Sequence, residues 1–515
     1  MARCGRCRVR VVAGPAPPSE ADREVFSSVE LADGWRLACA LTACGDLTVE
    51  VPGGTGAFAP KGFGAPVRVD PARVPPVAAD PAAGRPHVGL AVDIGTTSLA
   101  AALVDLDAGA DVATGSLLNP QAEFGADVMS RIHAAGQSDA QRRSLVSAVR
   151  RGIATLASGL LDEAGLSGGH VAAATVVGNS AMLHLWYGED PWSLGVAPYT
   201  GRWTAALHAR PQDVGLPIDP AARVYVFPCL RSHVGADAVS AAVAVGLDAV
   251  DAPALLIDLG TNSELVLGDG ARILAASTAA GPAFECGGIS CGMRAAEGAI
   301  DALRLEPDGH WSSHVIGGVP PRGICGSGLL DAVAELLRAG VIEPSGYMRR
   351  ADQARGMVPA ALLRRLSGPG DGRRATIVAA EEPARAIALE AADVRQLQLA
   401  IGAVRAGIEV LCAEAGLQAA GLRTIFVAGT FGQYVRKSSL LRLGLLPPVA
   451  PERVQTVGNA AGAGAVLALL DQRVRDRAER LAASAIYVEL AGRGDYQEAL
   501  TRSLRFPTPA GSAPR

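Results

Sequence analysis

The chain has 515 residues, 49% of them apolar and 19% charged, and a formal net charge of −4. Such a length requires at least two domains, since single cores rarely grow beyond roughly 250–300 residues, and such a charge balance excludes a basic footprint for nucleic acid. Nine cysteines over this length exclude a disulfide framework; with no charged-then-apolar leader and no apolar run of about 18–20 residues, the expectation is a cytoplasmic protein without a membrane span.

Residues 1–52 read as a small β-rich module. "CRVRVV" (7–12) and "DLTVEV" (46–51) alternate apolar and polar residues at the two-residue period of half-buried strands. Cys4 and Cys7 stand in a C-x2-C step, with Cys39 and Cys44 further on. Residues 53–87 are rich in Gly, Pro and Ala without a lasting period and read as a linker.

From 88 onward the texture changes to long strand and helix patterns. "VGLAVDIGTTSLAAALVDL" (88–106) is an apolar strand, a Gly-Thr turn and a second strand, and "APALLIDLGTNSELVLGDG" (252–270) repeats it. Asp93 and Asp258, Gly95 and Gly260, Thr96 and Thr261, and Ser98 and Ser263 all match at one offset, 258 − 93 = 165 residues. An internal repeat in register implies a duplicated fold. A second pair supports it: "VVGNSAMLHLW" (176–186) and "TVGNAAGAGAVLALL" (456–470) place Asn179 and Asn459 at the heads of apolar helix patterns. The expected fold class is therefore α/β, two related lobes (88–250 and 251–507) around a cleft, with a tail at 508–515. In the second lobe "GICGSGLLDAVAELLRAG" (323–340) is a Gly-rich turn entering a helix. "DVRQLQLAIGAVRAGIEVLCAEAG" (393–416) carries a 3.6-residue period, with Asp393 as candidate N-cap.

The repeated turn carries the chemistry. A strand ending in Asp delivers a carboxylate to the sheet edge, and Gly95 or Gly260 then permits a tight turn whose amide hydrogens aim at one point. Thr96, Thr97, Thr261 and Asn262 add side-chain donors. Two such cradles face to face suit a polyphosphate, and Asp93 and Asp258 suit a hydrated Mg2+, which prefers hard oxygen ligands and keeps several waters. A single Asp-x-Gly-Thr would be an ordinary hairpin turn; two in register behind apolar strands favour phosphate. "TIFVAGTFGQYV" (424–435) brings Gly429 and Gly432 after a third apolar strand, where backbone can approach a nucleoside ring.

These three motifs resemble the two phosphate motifs and the adenosine motif of the actin, sugar-kinase and heat-shock-chaperone ATPase superfamily. In that superfamily the helices headed by Asn179 and Asn459 would be the two connecting, hinge helices, and the core would be ribonuclease H-like. More specifically, "DLGTNSELVLGDG", "AAGPAFECGGISCGMRAAEGAI", "GICGSGLLDAV", "VAGTFGQYV" and "YVELAGRGDYQEALTRSLRFP" resemble the reductive activators of corrinoid proteins over nearly all of 88–507. The resemblance implies Mg-ATP in the cleft and a corrinoid protein of a methyltransferase system as partner. It also implies an external electron donor, a homodimer, and return of cobalt from Co(II) to Co(I) by one electron from an N-terminal [2Fe–2S] ferredoxin-like domain. A small-molecule kinase on the same fold and a clusterless nucleotide-binding partner protein are the alternatives.

In the same resemblance Cys4 and Cys7 match the second and third cluster ligands and Cys39 the fourth, since such a cluster takes four thiolates. The first would fall before Met1, so the expectation is a domain begun upstream or a decayed one. Cys44 is a possible substitute ligand, and a clusterless β module is the plain reading. Cys229, Cys286, Cys291 and Cys325 read as buried small residues. Ile401 stands where many relatives carry a lysine, which places nucleotide turnover in question.

Overall fold

The computed structural model describes residues 8–26, 31–37, 40–41, 47–50, 72–76, 87–368, 372–379, 386–429 and 435–508. The chain divides into two compact units, Met1–Phe58 and Ala59–Arg515.

In the first unit β1 (Arg8–Ala13) is followed by helix α1 (Glu20–Val25), β2 (Trp35–Leu37) and β3 (Thr48–Glu50). The strands form an antiparallel sheet in the order β2-β1-β3. Alternation alone signalled β1 and β3. Helix α1 was not legible that way; it starts because the Ser19 hydroxyl accepts the Asp22 N–H at 3.1 Å while the Asp22 carboxylate accepts the Ser19 N–H at 2.7 Å. The same carboxylate accepts the Leu37 N–H at 2.6 Å and so ties the helix to β2. Cys4, Cys7, Cys39 and Cys44 lie outside the described residues, as does most of 53–87.

The second unit is built on two sheets of the same plan. β4 (Val88–Ile94), β5 (Ser98–Asp105), β6 (Asp111–Leu118), β7 (Val171–Gly178), β8 (Leu207–Ala209) and β9 (Arg223–Val226) pair in the order β6-β5-β4-β7-β9-β8. Next come β10 (Ala254–Asp258), β11 (Ser263–Gly268) and β12 (Ile273–Thr278), and later β18 (Thr424–Ala428), β19 (Val454–Gly458) and β20 (Ile486–Tyr487), in the order β12-β11-β10-β18-β19 with β20 beside β12. In each sheet the Asp-bearing strand runs antiparallel to the strand after its turn and parallel to its other neighbour. Between β12 and β18 lie a three-stranded sheet, β13 (Ala299–Leu305), β14 (Trp311–Val315) and β15 (Gly323–Ile324), and a hairpin, β16 (Arg374–Val378) with β17 (Ile387–Glu390).

Helices cover these sheets: in lobe I α2 (Val128–Gln137), α3 (Asp139–Glu163), α4 (Ser180–Tyr187) and α5 (Ala236–Ala244). Later come α6 (Gly326–Arg338), α7 (Ala391–Glu414), α8 (Lys437–Leu443), α9 (Ala460–Leu470), α10 (Gln472–Ser484) and α11 (Gly494–Ser503). Helix α7 is long and apolar enough to cross a membrane, yet it lies buried in lobe II against β11, β12 and α11. Its cap is Glu390, one turn before the expected Asp393. Asp393 is instead the third helical residue, accepting the Glu390 N–H at 2.9 Å and the Ser290 N–H at 2.8 Å. Ile401 is core on this helix and does not line the cleft described below.

The hinge assignment needs correcting. Helix α9 leaves β19 of lobe II and packs on α5, β4 and β7 of lobe I. The Ser240 hydroxyl donates to Ala461 O and the Thr175 hydroxyl to Ala465 O, both at 2.7 Å. The partner of the Asn459 helix is thus α5, headed by Gly235, whereas the Asn179 helix, α4, packs on α3 inside lobe I. A Gly-Asn step signals only a capped helix start, whatever that helix then contacts.

Candidate functional site

The two turns meet at a cleft of about 440 Å3, within the usual range for small ligands. Asp93, Gly95, Thr96, Thr97, Asp258, Gly260, Thr261, Asn262, Gly429, Asn179 and Asn459 all line it. Gly432 lies outside the described residues. Gly429 has φ +103°, and a Cβ there would approach Leu259 O to 2.8 Å and Asp258 Oδ1 to 3.1 Å, so glycine lets this strand end close against the second turn.

Three asparagines hold the first turn. Asn119 Nδ2 donates to Gly95 O at 2.8 Å, Asn179 Nδ2 to the Thr96 hydroxyl at 3.0 Å, and Asn459 Nδ2 to Asp93 Oδ2 at 2.9 Å. Asn179 and Asn459 also cap their helices, their side-chain oxygens accepting from Met182 N–H at 3.0 Å and Gly462 N–H at 2.8 Å. One end of each amide thus starts a helix while the other fixes the turn.

Four further carboxylates, Asp127, Asp237 at the start of α5, Glu264 on β11 and Glu285, face the same cleft. Among the described residues no lysine or arginine lines it. The charges accordingly resist ionisation. Enclosure by protein, then the negative Asp237, pushes Asp93 up to about 7 against the pull of Asn459. Enclosure, then Asp237 and Asp93, pushes Asp258 up to about 7. Asp237 itself rises to about 6 through enclosure, and Glu264 lies well above the carboxylate range for the same cause, with Asp237 and Asp258 adding to it. Such a set calls for a cation to be brought in.

Its chemistry fits a hydrated divalent ion shared with phosphate. Among the described residues no three His, Cys, Asp or Glu side chains converge tightly enough to enclose a metal. Hard oxygen donors that leave room for water and phosphate are what Mg2+ uses. Asp237, Asn119 and Glu285 were missed in the sequence because none belongs to the repeat, and Glu264 because it lies within the repeat but stands opposite Leu99, not a matching residue. Elsewhere Cys229, Cys286 and Cys325 are buried as expected, and Cys291 is half-buried.

Two sheets that share one five-strand order, each delivering an Asp-x-Gly-Thr turn to a shared acidic cleft, define the actin, sugar-kinase and heat-shock-chaperone class, the ASKHA fold. The particular family follows from its matches. Residues 252–513 match the family model described as the C-terminal domain of RACo, the ASKHA domain, and residues 88–250 the RACo middle region. The chain is 34% identical over 411 residues to the corrinoid activation enzyme RamQ of Eubacterium limosum, covering 79% of this chain and 68% of RamQ. It is 26% identical over 429 residues to the [Co(II) methylated amine-specific corrinoid protein] reductase of Methanosarcina barkeri, covering 75% and 71%. A solved reductive activator for a corrinoid, iron-sulfur protein superposes with a TM-score of 0.75 at 28% identity, covering 98% of this chain and 92% of that one. The chain belongs to the family of reductive activators of corrinoid proteins.

Proposed function

We propose that the chain is an ATP-dependent cobalt reductase that returns the cobalt of a corrinoid protein from Co(II) to Co(I). The observation that carries this is the pair of Asp-x-Gly-Thr turns closing on one acidic cleft that no lysine or arginine lines among the described residues. The relatives' names, corrinoid activation enzyme and Co(II) corrinoid protein reductase, point to the same reaction.

In this reading Mg-ATP occupies the cleft. The turn amides and the Thr96, Thr97 and Thr261 hydroxyls bind phosphate oxygens, with Asn262 beside them. Asp93 and Asp258 would hold a hydrated Mg2+, which would supply charge neutralisation for the phosphates, and would be the groups placed to accept a proton from water. Asn459 keeps Asp93 aimed, and Gly429 and Gly432 flank the nucleoside. ATP can drive an uphill electron transfer only if its binding or hydrolysis changes how tightly the corrinoid protein is held. The crossing of α5 and α9, which joins the lobes, is the element both ligands would bias. The [2Fe–2S] cluster implied by the resemblance would supply the electron, with an external donor reloading it; Cys4, Cys7, Cys39 and Cys44 remain its candidate ligands. Homodimer and cytoplasm complete the proposal.

The test is anaerobic. Iron and sulfide are first assayed on the purified chain, about two irons being expected for a [2Fe–2S] site. The chain is then mixed with a Co(II) corrinoid protein from a methyltransferase system and a low-potential reductant. Co(I) absorbance should grow only when Mg-ATP is added, and the affinity for the corrinoid protein should change with nucleotide. A corrinoid affinity and a Co(I) yield indifferent to ATP would sink the proposal.

A further inference from the structure

Glu285 closes the short helical turn Pro282–Glu285 and faces the cleft. Its Oε2 accepts from the Thr97 hydroxyl of the first turn at 3.0 Å, and its Oε1 from the Thr261 N–H of the second at 3.3 Å. One carboxylate thus takes a donor from each of the two turns, 188 residues away along the chain in one case and 24 in the other. Both donors are ones assigned to phosphate. A carboxylate and a phosphate are both anions seeking N–H and O–H groups, and no lysine or arginine lining the cleft among the described residues would neutralise the pair. They cannot share these donors.

The backbone carrying Glu285 is conditioned for two arrangements. Gly281 N–H donates to Thr261 O at 2.8 Å, anchoring one end to the second turn. Immediately beyond Glu285, Cys286 has φ +59°, a left-handed conformation that crowds a Cβ. Strain of that kind beside a ligand site persists only where surrounding contacts hold it, and is released when they go. Arg131 lies within electrostatic reach of Glu285.

We propose that Glu285 is a latch that competes with the terminal phosphate of ATP: it joins the two turns across the cleft, and Mg-ATP expels it and frees the 281–288 segment. The inference rests on the ATP reading of the cleft and adds a device by which that nucleotide moves the chain.

The experiment is nucleotide titration by calorimetry on the full chain, comparing wild type, Glu285→Ala and Glu285→Gln, each checked for an unchanged melting profile. With the latch gone, Mg-ATP should bind about tenfold more tightly, as expected when a competent state held near one part in ten becomes dominant. Mg-ADP, which lacks the terminal phosphate, should gain less. The Gln variant should fall between, since an amide oxygen still accepts a hydrogen bond without the charge. In wild type, Mg-ATP should speed hydrogen exchange at the Cys286 and Gly287 amides, which bond Ala283 O at 2.9 Å and Pro282 O at 2.7 Å. Equal ATP affinities in all three proteins would overturn the latch alone. Weaker binding in the Ala variant would overturn it too, making Glu285 a ligand of the bound ion. Absence of ATP binding in wild type and variants alike would remove the ATP reading and the latch together, whereas binding that emerges only in Glu285→Ala would support both.

Discussion

The two Asp-x-Gly-Thr turns share a sequence, a strand order and a cleft, but not their supports. The first is clamped by amides from Asn119, Asn179 and Asn459, which reach it from three parts of the chain. The second is held by Gly281 N–H on Thr261 O, and among the described residues no asparagine amide reaches it; Glu285 bridges the two, accepting from the Thr97 hydroxyl of the first and the Thr261 N–H of the second. An amide donor on a turn carbonyl or on Asp93 leaves the phosphate-facing side open, so the clamp and a ligand coexist. A carboxylate on a turn N–H uses a group the ligand needs. Duplication thus preserved the geometry that presents two aspartates, while only the first copy carries the asparagine clamp and the second depends more on the Glu285 contact that spans both. The lesson is that a rigid half and an adjustable half suit a protein whose nucleotide has to move something.

The sharpest way to break this comparison is to remove the element the turns have in common. Asp93→Asn and Asp258→Asn should each lower ATP turnover by roughly 10²–10³, the usual cost of deleting one preorganised electrostatic contact, read as phosphate release. If one substitution is harmless, the likeness ends at the backbone and only one turn serves the chemistry. The next largest effect belongs to the clamp. Asn459→Ser keeps a capping oxygen for α9 but cannot reach Asp93, so loss of a hydrogen bond to a charged group should weaken Mg-ATP binding about tenfold or more. Asn179→Ser loses only a neutral contact with Thr96, and about two- to fivefold is expected. Equal effects would mean that both asparagines act as caps alone.

A third comparison concerns the glycines. A Cβ at Gly95 would lie 2.6 Å from Ser98 O, a backbone atom that cannot swing aside, whereas at Gly260 the closest atom, Asn262 O, is 3.1 Å away. Gly95→Ala should cost about 1–3 kcal/mol by overpacking and Gly260→Ala under about 1 kcal/mol, measured by denaturant unfolding. A reversed order would show the second turn to be the tighter one.

What the sequence disclosed follows the same division. The Asp-bearing strands were legible because an apolar run and a Gly-Thr turn occur twice at one spacing, and their arrangement around a cleft followed from that. Asn179 and Asn459 were legible as helix starts, since capping is local, but where their amides reach depends on β7 and β19 ending beside the first turn. Asp237 was not legible: an acid in the first turn of a helix is common wherever the helix dipole favours it, and only the fold carries it to Asp93, 237 − 93 = 144 residues away. Glu285 has no counterpart in the first half, so a search for repeats passes over it. The helix α5 was hidden likewise, because it begins at a glycine with no side-chain cap.

The smallest expected effect is a dependence of stability on pH, and it concerns the charge both turns face. Asp93 and Asp258 are raised to about 7 and Asp237 to about 6, against an ordinary 3.8. Between those limits the folded chain binds more protons than the unfolded one, so stability falls as pH rises, steepest below about 7 and flat beyond it. The carboxylates keep some solvent contact, which screens their repulsion, and the drop in melting temperature from pH 5 to pH 8 should amount to a few degrees. Mg-ATP should reverse its sign. Binding a divalent ion demands ionised carboxylates, so protons leave on binding and affinity rises with pH over the same window. Calorimetry in two buffers of different ionisation enthalpy counts those protons. Asp258→Asn should flatten the nucleotide-free slope and abolish the reversal. A slope that persists unchanged in this variant would assign the titration to groups outside the cleft, and the two turns would then share a shape but not a charge.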